Sequence, residues 1–147
     1  MSKPQRPSNL WLDDGSLRDI FLSPCTREHW RRLLLLLEEY ETEYRYNHEP
    51  APTPPIDHIF STHEYSQRLY IRLNGATVCC WFDHADQIEL DVHPAEVRDE
   101  AQRHSVLDFV RRVAMSVGLP ARISPEGQPD SPFFVFNPDG SISNGGG

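Results

Sequence analysis

The sequence predicts an α+β domain built on an antiparallel sheet, with a central three-stranded meander and two main helices packed on one face. Three observations carry this. Asn74-Gly75, the strongest short hairpin signal, stands between two alternating apolar runs, and a third such run follows at Ile88 to Val92. Two other segments, one after Ser23-Pro24 and one before Gly118-Leu119-Pro120, repeat apolar residues at helical spacing. Short strand-like runs bounded by Pro, Gly and Asp recur at both ends of the chain.

At 147 residues with net charge −8, the chain fits one domain, placed at 10–142. The polar, Pro-containing residues 1–9 and the Gly-rich residues 143–147 are expected to be disordered. The longest apolar run, Leu33 to Leu37, is far too short to cross a membrane, and MSKPQRPSNL holds no apolar export segment. A cytoplasmic protein with no membrane partner is expected. Cys25, Cys79 and Cys80 are an odd number without metal-ligand spacing and read as reduced thiols.

Along the chain, Leu10 to Leu12 and Leu17 to Leu22 read as a hairpin around Asp13-Asp14-Gly15-Ser16. From Thr26 to Tyr46, residues Trp30, Leu33, Leu34, Leu36, Leu37, Tyr40 and Tyr44 fall on one helical stripe, leaving Leu35 outside. Asn47 to Pro55, with its prolines, reads as an extended connector.

A two-residue turn at Asn74-Gly75 pairs Leu73 with Ala76, Ile71 with Val78 and Leu69 with Cys80 on one face. Keeping Ile88, Leu90 and Val92 on that face requires an odd second loop near Asp83 to Gln87, which sets Phe82 opposite Ile88, Trp81 opposite Glu89, Cys80 opposite Leu90 and Cys79 opposite Asp91. Pro94 opens a short helix through Glu100, and Ser105 with Asp108 resembles a capping box for a second helix ending at Gly118. Met115 lies outside that helix's core stripe. A strand at Ala121 to Ser124 and a hairpin around NPDG close the domain.

Chemistry-bearing patterns are sparse. His84-Ala85-Asp86 matches the first two ligands of a 2-His-1-carboxylate iron site, but a solvated turn has the same composition. Glu89, Asp91 and His93 alternate on one strand face, where successive side chains stand roughly 6.6 to 7 Å apart and close on one ion only with help from a neighbouring strand. A metal-dependent enzyme using His84, Asp86 or His93 therefore ranks last, and no cofactor is expected. The chain has no G-x-S-x-G elbow, no phosphate loop and no cysteine in an activating context.

Charge is more informative. Between Asp83 and Glu100 lie seven acidic residues against Arg98 alone, so this segment carries six of the eight net negative charges. Such a balance argues against a nucleic-acid partner, because phosphate affinity comes from clustered cations. The open face of the meander carries Trp81 and Tyr70 among Arg68, Arg72, Glu89 and Asp91, beside Asp83 and Asp86. Trp, Tyr and Arg dominate binding hot spots, so Arg68, Tyr70, Trp81, Asp83, Asp86, Glu89 and Asp91 are the expected partner-binding set. On the competing reading, Arg68 stacks on Trp81, Arg72 pairs locally and the face is solvated sheet surface. Leu35 and Met115 mark a helix face as the alternative contact.

The segments QIELDVHPAEV, VLDFVRRVAMSVGLPARISPEG and PFFVFNPDGSI resemble the C-terminal half of small immunity proteins found beside bacterial polymorphic toxins. The resemblance does not reach the N-terminal half. It implies a cytoplasmic, non-catalytic inhibitor that binds a cognate toxin and blocks its active site. An acidic inhibitor suits a basic, nuclease-type toxin, since a surface that grips phosphate must be basic. A secretion chaperone or adaptor that binds an effector is the alternative.

Overall fold

A computed structural model describes residues 7–61 and 65–145 of the chain. In order the elements are β1 (Arg18–Leu22), α1 (Arg27–Leu37), β2 (Glu41–Tyr46), β3 (Glu49–Ala51), α2 (Ile56–Ile59), β4 (Gln67–Leu73), β5 (Ala76–Trp81), β6 (Ile88–Val92), α3 (Glu100–Val117), β7 (Ala121–Pro125), β8 (Phe134–Phe136) and β9 (Ile142–Asn144). They form one open antiparallel sheet of nine strands in the order β3-β2-β4-β5-β6-β1-β7-β8-β9, an α+β fold with the meander β4-β5-β6 inside it.

The meander has the register that its apolar alternation dictates. Asn74 and Gly75 both take positive φ, 51° and 92°, as a two-residue hairpin turn of this hand requires. Leu73 pairs with Ala76, Ile71 with Val78 and Leu69 with Cys80. Cys80 then pairs with Leu90 and Trp81 with Glu89, which leaves the odd residue count between them that the parity argument demands. The ladder stops at Trp81 and Glu89, so the further pairing of Phe82 with Ile88 lies beyond the paired strands.

Helices α1 and α3 cover the apolar face. From α1 come Trp30, Leu33, Leu36 and Leu37, and from α3 Val106, Phe109, Val110, Val113, Ala114 and Val117, all buried. Each fully buried side chain of this size contributes about 1.5–3 kcal/mol relative to exposure, so this layer is the main stabilising contact of the sheet. Trp30 satisfies its indole N–H on the carbonyl of Ala85 at 2.9 Å, pinning the β5–β6 loop under α1.

Four expectations are corrected. The first helix ends at Leu37 rather than Tyr46, and residues 41–46 form β2 beside β4. Tyr40 and Tyr44 are four residues apart, a spacing that shares a face in a helix and equally in a strand, so they did not discriminate. Tyr44 is buried in the sheet and its hydroxyl donates to Gln67.

The N-terminal hairpin does not form. Both edges of β1 are taken, by β6 and β7, so Leu10 to Leu12 find no strand to pair with. Arg18, 2% exposed, supplies donors instead: Nε reaches the Leu10 carbonyl at 2.7 Å, and Nη2 the carbonyls of Leu12 at 2.9 Å and Asn9 at 3.2 Å.

The extended connector contains structure of its own. Asn47 and His48, both at positive φ, turn the chain into the edge strand β3, where Pro50 blocks further pairing on a strand with no outer neighbour.

Pro94–Glu96 is only a 3₁₀ turn, and α3 begins at Glu100, well before Ser105. Its cap is Asp99, which accepts the Gln102 backbone N–H at 2.8 Å, while the Gln102 side chain accepts the Arg98 N–H at 2.8 Å. At the C-terminus, β9 runs to Asn144, and residues 1–6 and 146–147 of the two expected disordered ends lie outside the described residues.

Candidate functional site

The face of the sheet opposite the helices carries every polar cross-strand row. Strand pairing orders one row as Arg45, Arg68, Trp81, Glu89, Phe21 and Arg122, and the next as Glu43, Tyr70, Cys79, Asp91, Asp19 and Ser124. Five of the seven expected partner-binding residues, Arg68, Tyr70, Trp81, Glu89 and Asp91, therefore share one face. Asp83 sits in the exposed β5–β6 loop beside them, and its charge acts on both Glu89 and Cys79. Asp86 stands apart: its carbonyl accepts the Cys25 N–H at 2.7 Å, on the α1 side of the loop.

The two halves of the face differ in how their charges are held. On the β2–β4–β5 half the cations are tied to aromatic rings. The Arg68 guanidinium lies 4.8 Å from the Trp81 ring centre and donates to the Tyr70 hydroxyl, and Arg45 and Arg72 lie 5.9 and 5.8 Å from the Tyr70 ring. Arg72 also donates to Thr77 Oγ1 at 2.8 Å. This is the local stacking and pairing that the competing reading expected.

On the β6–β1 half the charges are carboxylates, Glu89, Asp91 and Asp19, and among the described residues none of the three makes an ion pair. Asp91 accepts the Trp81 indole N–H at 2.6 Å and Asp19 accepts the Gly127 N–H at 2.9 Å. All three carboxyls are raised above the usual range, first by burial. The charge of Asp19 then adds to the shift of Glu89 and of Asp91, and that of Glu126 to those of Asp19 and Asp91. Arg68 and the Trp81 hydrogen bond offset this in part at Asp91.

Asp19, Phe21, Ser124 and Glu126 belong to this half and were missed. Their signal was present in part: the alternation of Arg18–Leu22 turns Asp19 and Phe21 away from Ile20 and Leu22. What the sequence lacked was the strand order that inserts β1 beside β6.

The metal candidates are not assembled. His93 Nδ1 accepts the Ala95 N–H at 3.1 Å as the cap of the 3₁₀ turn, and His84 is exposed in the loop. Among the described residues no group of three or more His, Cys, Asp or Glu is placed to hold a metal ion. Likewise, no helix among them is long and apolar enough to cross a membrane. The helix-face alternatives are exposed, Leu35 at 66% beside Leu34, Pro55 and Ile56, and Met115 at 44%. The chain matches no family model, no curated protein and no solved structure.

Proposed function

We propose that the protein is a non-catalytic, protein-binding inhibitor of the immunity type, which neutralises a cognate, basic, nuclease-type bacterial toxin through the open face of its sheet. The observation that carries this reading is the set of carboxylates without an ion pair, Glu89 and Asp91 partly exposed and Asp19 buried, beside a Trp81 ring held in place by Arg68 and Asp91. Carboxylates that repel one another destabilise the isolated fold, which is what a surface shaped for a cationic partner is expected to do. An ordered aromatic ring at the border of that charge provides apolar contact area with little further loss of freedom on binding. The resemblance of the C-terminal segments to immunity proteins supports the same reading.

The test is co-expression with the product of the adjacent gene, scored by growth rescue and by co-purification. Rescue and a stable complex are expected for the natural chain, with both lost when Trp81→Ala and Glu89→Lys are combined. A variant that is folded yet still rescues and still co-purifies rules out the open face as the contact.

A further inference from the structure

The carboxylate half of the open face also specifies the chemistry of what it would bind. Glu89 is the strand partner of both Trp81 and Phe21, so it stands in the row between two aromatic residues, both partly exposed. In the adjoining row Asp91 pairs with Asp19 and Asp19 with Ser124. Ser124 is 0% exposed, and its Oγ, on the same face as Asp19, has no hydrogen-bond partner. A buried hydroxyl without a partner is uncommitted as both donor and acceptor, and it lies in the row of carboxylates that make no ion pair. A cleft of about 290 Å³, walled by Phe21, Gln87, Arg122, Pro129 and Asp130, continues the site at the Phe21 end.

The chemistry that complements these carboxylates, beyond the exposed Arg122 at the Phe21 end of the row, is a cation with several donors. A guanidinium fits better than an ammonium for two reasons. Its planar fork bonds a carboxylate with two parallel N–H groups, and its flat face stacks on an aromatic ring while its edge donates. The fold itself repeats that stacking, at Arg68 on Trp81, Arg112 on Tyr40 and Arg18 on Phe133. We infer that Glu89, Asp91 and Asp19, flanked by Trp81 and Phe21, form a socket for one arginine side chain of the partner protein. This inference rests on the partner-binding reading and adds the residue type recognised.

The experiment uses the full chain and N-acetyl-L-arginine amide as probe, with the Trp81 indole ¹H–¹⁵N resonance as the readout, assigned by its loss in Trp81→Phe. Expected is a saturable shift of that resonance at low ionic strength, weakened by salt. Binding should fall about tenfold in the Glu89→Gln, Asp91→Asn variant and be several-fold weaker for N-acetyl-L-lysine amide. Equal shifts in the natural chain and the double variant, or no shift at all, overturn the socket. The broader reading is tested separately. If Trp81→Ala abolishes co-purification with the adjacent gene product while the arginine probe leaves the natural chain unmoved, the face binds its partner by other contacts and only the socket fails.

Discussion

The Trp81 indole N–H reaches Asp91 Oδ2 at 2.6 Å on a diagonal across the β5–β6 pair, because Trp81 itself stands opposite Glu89 and Asp91 opposite Cys79. The diagonal ties the aromatic half of the open face to its carboxylate half. Trp81→Phe keeps a ring for Arg68 to stack on but removes the donor from a carboxylate that burial already disfavours. A hydrogen bond to a charged group of this kind is worth about 1.5–3 kcal/mol. The variant is expected to lose that much unfolding free energy, read as a lower urea midpoint, and to show an Asp91 carboxyl raised further, read by carbon NMR across a pH titration.

Glu89 carries the opposite expectation. Its folded-state carboxyl is raised above its unfolded value by burial and by Asp19, Asp83 and Asp91, so the folded chain binds the proton more tightly than the unfolded one. That contribution is fully present below the unfolded value and is lost as pH rises through the raised folded value. At neutral pH the ionised group therefore works against folding. Glu89→Gln is expected to raise the urea midpoint at pH 7, with the gain vanishing as pH falls below the ordinary carboxylate range. An equal gain at every pH would show that charge is not the cause.

Much of the fold was legible because the informative residues lie close together in sequence. Asn74-Gly75 with the alternations on either side fixed the β4–β5 register, and parity alone fixed the β5–β6 register and hence the face shared by Trp81, Glu89 and Asp91. What was not legible depends on distant neighbours. Leu10 to Leu12 look like a strand until β6 and β7 occupy both sides of β1, and Tyr40 with Tyr44 look helical until β4 offers an edge. The candidate site failed at the same place. One of its three carboxylates is Asp19, seventy residues before Glu89 in sequence, and only the β1–β6 pairing brings Asp19 to Asp91.

Arg18 is the element that replaces the missing hairpin. Its guanidinium is buried, donates to three carbonyls of residues 9–12 and to Ser16 Oγ, and lies 5.4 Å from the Phe133 ring. Its ion pair with exposed Asp14, at 3.5 Å, is the lesser part, since exposed pairs are screened by water. Arg18→Ala leaves the buried Leu10 carbonyl without its side-chain donor, takes the second donor from the Asn9 and Leu12 carbonyls, which keep the Leu12 and Asp14 N–H groups, and removes packing from Phe133, at a cost of about 3 kcal/mol. Asp14→Ala is expected to change stability much less. Hydrogen exchange should quicken first at Leu10 and Leu12, whose backbone N–H groups bond Pro7 and Asn9 in the same segment.

Cys79 reports on whether the open face is closed over by its own side chains. It belongs to the polar row yet is only 8% exposed, between Tyr70 and Asp91 as strand partners and with Trp81 bridging to Asp91. Burial first, then the charge of Asp91, pushes its thiol from 9.0 up to about 12. Since the thiolate is the nucleophile, that shift leaves roughly a thousandfold less of it at pH 8 than an ordinary cysteine has. Iodoacetamide is therefore expected to leave native Cys79 unmodified on the timescale that alkylates the unfolded chain. Trp81→Ala removes the ring that spans the row, and mass spectrometry of the folded variant should find Cys79 labelled while Cys80, buried on the helix side, stays protected. Labelling of Cys79 in the natural chain at the same rate as in Trp81→Ala would mean that the Trp81–Asp91 bridge does not hold in solution.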